Sequence, residues 1–94
     1  MAFKMSKYDP LAEYLYRANA TYLEMSFDQV EAIIHARLPT SARELSAWWS
    51  NDESTTHVQA NSWLDAGWQV RHIDLAYEHV VFVRIYFPYG RPES

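Results

Sequence analysis

Apolar positions recur at helical spacing near the start of the chain: Leu11, Leu15 and Ala18 follow Asp9-Pro10, and Tyr14 widens their stripe. Side chains three and four apart share one helix face, so this spacing predicts an amphipathic helix over about residues 10–18. Asp9 is placed to accept orphan N–H groups, Pro10 fits the first turn, and Asn19 ends the run. The period then changes. Thr21-Tyr-Leu-Glu-Met25 alternates and is rich in strand formers, which predicts a short strand. Ser26-Phe-Asp-Gln29 has the spacing of a capping box, with Met25 and Val30 placed as a hydrophobic staple across it. Phe27, Val30, Ile33 and Ile34 give the next helical face, predicting a helix over about 27–36 that Leu38-Pro39 breaks.

The second half has weaker periods and stronger punctuation. Ser41-Ala-Arg-Glu44 repeats the capping-box spacing, predicting a short helical turn before Trp48-Trp49. A polar connection follows, and Val58, Trp63 and Leu64 then predict a third helix over about 56–66, stopped by Gly67. The runs 68–75 and 79–87 read as two strands of a hairpin turning near Ala76-Tyr-Glu78. The order is helix, strand, helix, turn, helix, hairpin, with the first strand adding to the hairpin. It predicts an α+β, winged-helix-like domain of three short helices and a small antiparallel sheet. The competing arrangement is an unrelated small α+β sandwich. The whole chain, 1–94, reads as one domain with an ordered core over about 8–87 and a loose tail over 88–94.

Composition narrows the chemistry. Of 94 residues, 49% are hydrophobic and 16% aromatic, enough to bury a core. Cysteine is absent, which removes disulfides, thiolate zinc sites and thiol catalysis. The N-terminal run Met1–Lys7 contains no long apolar stretch of the kind a secretory signal needs, and no segment has the length of a membrane span. The expectation is a soluble, cytoplasmic protein. Net charge is −4, from 8 Lys and Arg against 12 Asp and Glu, which disfavours a purely electrostatic hold on phosphates.

All four tryptophans fall between positions 48 and 68. Trp63 and Trp68 read as core. Adjacent Trp48 and Trp49 cannot both enter one core from a regular element, so one is expected at the surface, free to stack on a base or anchor a protein contact. Arg43 and Asn51 flank the pair. They could tie an irregular segment to backbone carbonyls, or contact a phosphate or a base edge. Thr55, His57, Gln59 and Asn61 give the third helix a neutral polar face, which in a winged helix would enter the major groove. That helix lacks Lys and Arg, and a solvated face is the plainer reading.

Four histidines, His35, His57, His72 and His79, show no i, i+4 pair and no zinc-protease pattern, so no metal site is expected. His72 and His79 could face each other across the hairpin. A nucleophile elbow, a phosphate-binding glycine loop and an acid–base pair are all missing, which predicts a non-enzymatic protein without cofactors. The run Val80-Val-Phe-Val-Arg-Ile-Tyr-Phe87 is apolar on both faces, so a second copy is expected to cover its outer face or edge.

Five motifs in order carry a family resemblance: Tyr8-Asp-Pro-Leu11, Phe27…Glu31…Ile34, Leu38-Pro-Thr-Ser-Ala-Arg43, Ala47-Trp-Trp-Ser-Asn-Asp52, and Gln59-Ala…Trp63-Leu-Asp-Ala-Gly-Trp68. Over about residues 6–84 the chain resembles a small bacterial and phage domain family of unknown function, found alone and joined to nuclease-like regions. The resembling sequences place glycine where this chain has His35 or Ala36, and they end soon after the position of Arg84. The first expectation is therefore a nucleic-acid-binding module working through helix 54–66 and the Trp48–Asn51 loop. The rival is a phage-type inhibitor, anti-CRISPR-like, that binds a host defence protein through an acidic and aromatic surface.

Overall fold

Helix α1 (Asp9–Arg17) buries Leu11, Ala12 and Leu15, the stripe that their spacing predicts. The computed structural model describes residues 6–52 and 58–88. Asp9 lies inside α1 rather than capping it. Its carboxylate turns back to accept from Ser6 N at 3.1 Å and Ser6 Oγ at 3.3 Å. Tyr8 is the N-cap without a side-chain bond, and Pro10 in the first turn reduces the need for one.

Strand β1 (Tyr22–Ser26) runs straight into α2 (Phe27–Ile34). The capping box forms at that junction: Gln29 N donates to Ser26 Oγ at 3.0 Å and Ser26 N to Gln29 Oε1 at 2.8 Å. Helix α2 stops short of residue 36 because His35 turns left-handed, with φ 56° and ψ 37°. Glycine is the usual residue there, since a Cβ is strained in that region.

Helix α3 (Thr40–Glu44) leads into a 3-10 turn over Ser46–Trp49. Ser41 does not cap α3. The helix begins before it, with Pro39 as an N-cap that offers no side-chain bond. Helix α4 covers Val58–Asp65, and its expected start at residue 56 lies outside the described residues. The described residues therefore hold four α-helices where the pattern predicts three and a helical turn.

Gly67 ends α4 with φ 90° and donates to Leu64 O at 3.0 Å. Its own carbonyl accepts from Ile85 N at 2.7 Å and Tyr86 N at 3.2 Å. A Cβ there would lie 2.2 Å from Tyr86 O, so both the turn and the close approach require glycine.

Strands β2 (Trp68–Asp74) and β3 (His79–Arg84) form the hairpin, and the antiparallel sheet has the order β1-β3-β2. The α+β fold and the joining of the first strand to the hairpin are as predicted. Strand β3 ends at Arg84 rather than Phe87, because Ile85 and Tyr86 leave the ladder for Gly67 O. Being central, β3 has both edges paired, which leaves only its outer side for the contact expected of it.

Register sorts the side chains. Met25, Val80 and Ile73 share one row and Leu23, Phe82 and Val70 another, all packed into the core. Alternation sends Tyr22, Val83 and Gln69, and then Glu24, Val81 and His72, to the opposite side. Helix α2 packs on β1, α4 and the 3-10 turn pack on β2, and α1 crosses α2 and α4. Among the described residues, no helix is long and apolar enough to cross a membrane.

Candidate functional site

The 3-10 turn delivers adjacent indoles to different depths. Trp49 is 1% exposed, and Trp48 beside it is half-buried with its ring edge-on at 4.7 Å. Trp49 stacks between Phe27 at 5.1 Å and Trp63 at 6.0 Å, and Trp63 meets Phe82 edge-on at 5.7 Å. This aromatic ladder ties α2, the 3-10 turn, α4 and β3 together. The buried indoles find acceptors: Trp49 Nε1 donates to Ala42 O at 2.7 Å and, outside the ladder, Trp68 Nε1 donates to Leu15 O at 2.8 Å. Such partners are what permit a tryptophan to be buried.

Asn51 supplies the third. Its Oδ1 accepts from Trp63 Nε1 at 2.9 Å and Val70 N at 2.8 Å, while its Nδ2 donates to Val70 O at 2.9 Å. One amide thus clasps both backbone groups of Val70 on β2 and fixes the ladder to the sheet. Gln59 is 6% exposed and donates from Nε2 to Trp48 O at 3.0 Å, holding the 3-10 turn against α4.

Arg43 lies at the other end of the ladder, with its guanidinium 5.7 Å from the Phe27 ring centre. It reaches Glu78 at 2.7 Å, Glu31 at 3.0 Å and Asp28 at 3.6 Å. Glu31 Oε2 also accepts from Leu38 N at 2.7 Å. That backbone bond first, and Arg43 second, hold the Glu31 carboxyl below the usual glutamate range. Reciprocally, Glu31 and Glu78 push the Arg43 guanidinium up.

The structure therefore gathers Trp48, Trp49, Asn51 and Gln59 into one assembly and links Arg43 to it through Phe27. Asn61 is half-buried on α4. Thr55 and His57 lie outside the described residues. Asn51 ties its loop to a backbone carbonyl, that of Val70, whereas Arg43 bonds the carboxylates of Asp28, Glu31 and Glu78 rather than a carbonyl.

The outer side of the sheet differs in kind. Tyr22 is 58% exposed and pairs with Val83 across β1 and β3. Val81 is buried at 8% exposure but lies outside the contiguous core cluster, and Val83 is half-buried. Glu24, His72, Asp74, Tyr77 and His79 surround Val81 in an open cleft of about 330 Å³. His79 Nδ1 lies 3.2 Å from Glu24 Oε2. His72 and His79 share this cleft without facing one another, since their ladder partners are Val81 and Asp74. Among the described residues, no group of three His, Asp or Glu side chains could hold a metal ion.

Sequence reasoning had singled out β3 for its two apolar faces and missed Glu24, Asp74 and Tyr77. The signal was present in the period-two alternation of β1, but the register that brings it beside β3 is a long-range property.

A family model described as a domain of unknown function matches residues 8–85. No curated protein and no solved structure matches the chain.

Proposed function

The chain belongs to the DUF7662 family of unknown function, and from that footing we propose that it is a non-enzymatic module that binds another protein. The observation that carries this reading is the outer side of the sheet, where exposed Tyr22 and half-buried Val83 lie outside the core beside a cleft with Val81 buried in its floor. Apolar side chains left outside the core cluster on one face of a small domain suit contact with a partner.

The rival partner, nucleic acid, has less support. Trp49 and Gln59 are buried, and Asn51 and Arg43 are already engaged by partners within the fold, which a base or phosphate would have to displace. The net charge of −4 works in the same direction. The link to nuclease-like regions that the resemblance implies accords with a module that couples such an enzyme to a protein target. Inhibition of a host defence protein is the narrower form of the same reading.

A photo-crosslinking residue at position 22, with the same residue at position 14 as control, tests the reading in host lysate. Tyr14 is 48% exposed on α1, so both sites offer similar access. Protein adducts at position 22 and none at position 14 are expected. Equal labelling at both positions, or polarisation-detected binding of duplex DNA that weakens with salt, would refute it.

A further inference from the structure

The outer sheet face carries charge as well as apolar area, and the two are arranged in adjacent rows. Glu24 on β1 and Asp74 on β2 line the cleft around Val81 together with His72 and His79, the latter 3.2 Å from Glu24, and the lining holds no Lys or Arg. Tyr77, 79% exposed, belongs to the same lining. One row along the sheet lie Tyr22, Val83 and Gln69.

Resting on the protein-binding reading above, we propose that this face receives a basic segment of a partner protein, in which lysine or arginine alternates with apolar residues. The cationic side chains enter the cleft between Glu24 and Asp74, and the apolar ones lie on Tyr22 and Val83. Charge complementarity selects this occupant. A second copy of the chain would bring Glu24 and Asp74 of both molecules into one interface, between chains that each carry −4. Like charges set against one another oppose such a contact, and a phosphate backbone meets the same repulsion.

Amide chemical-shift mapping of the full-length chain tests this with defined probes: a short peptide of alternating lysine and valine, and its glutamate–valine counterpart. The lysine peptide is expected to shift amides in 22–24, 72–74 and 79–83, while the glutamate peptide shifts none. Neutralising the rim with Glu24→Gln and Asp74→Asn should weaken the lysine peptide about tenfold, and raising salt should weaken it further. Shifts that instead follow the helical acids Glu13, Glu44 and Asp65 would overturn the proposal, as would equal binding of both peptides or indifference to the double substitution. A doubled light-scattering mass that Val83→Arg abolishes would assign the face to a second copy and also overturn it. If position 22 still crosslinks a protein whatever the charge at 24 and 74, only this inference fails. Duplex DNA shifting the same amides would instead sink the protein-binding reading itself.

Discussion

The two sides of the sheet make opposite use of aromatic and polar side chains. On the helix side, Phe27, Trp49, Trp63 and Phe82 stack in a ladder, and Asn51, Gln59 and Arg43 direct their polar atoms to partners within the fold. On the outer side, Tyr22 and Tyr77 are exposed, Val83 is half-buried, and Val81 is buried but outside the contiguous core cluster. A polar residue beside a tryptophan is thus no mark of a binding surface when it supplies the acceptor that makes burial of the indole possible. An apolar residue facing away from the core cluster has no such structural duty, and that asymmetry is the ground for proposing the outer face as the binding surface.

Substitutions can break or sharpen this contrast. The largest effect is expected at the ladder. Trp49→Ala should cost about 3–5 kcal/mol in denaturant unfolding, whereas Tyr22→Ser should stay within about 0.5 kcal/mol. Similar costs at the two positions would erase the distinction. Asn51→Ala comes next, at about 2 kcal/mol, because it leaves the Trp63 indole and the Val70 backbone without the partners they now have. Substituting Asn51→Asp retains the acceptor but not the donor, and should recover part of that loss in the same assay.

The Arg43 cluster gives a smaller effect with a pH signature. Arg43→Ala should cost about 1–2 kcal/mol at neutral pH, since it removes the cation shared by Glu31 and Glu78. The folded Glu31 carboxyl titrates below its ordinary range, so its contribution is present above the unfolded value and lost as pH falls through the folded one. The loss should begin near pH 4.3, roughly the unperturbed glutamate value, and Glu31→Gln should make stability less sensitive to acid in that window. The smallest effect is a gain. His35→Gly relieves a left-handed Cβ and should add about 0.5–1 kcal/mol to the unfolding free energy.

Local signals explain why so much of the fold was legible. The Ser26–Gln29 capping box, the Leu11–Leu15 stripe and the Gly67 stop depend on neighbours within one or two turns, and each appears where its spacing placed it. Errors arose where a local rule had a competitor. Asp9 and Ser41 have the right chemistry for caps, but Asp9 turns to Ser6, and α3 starts before Ser41 behind Pro39. The far end of β3 was misjudged because the carbonyl of Gly67, distant in sequence, draws Ile85 and Tyr86 out of the ladder.

The candidate site was legible as residues but not as roles. Trp48, Trp49, Asn51 and Gln59 do converge, as their clustering in sequence suggested. Nothing in the sequence specifies that the Asn51 amide meets Val70, nineteen positions away, rather than solvent. The outer face was half-visible: two apolar sides on β3 pointed to it, while its acidic neighbour Glu24 depended on the β1–β3 register.

Crosslinking through position 22 in a Val83→Arg background tests the central claim most directly, with thermal unfolding recorded on the same protein. The account predicts that partner capture is lost while the melting temperature stays within about 3 °C of the parent, as befits a side chain outside the core. Capture that persists, or a melting temperature that drops as far as that of Trp49→Ala, would contradict it.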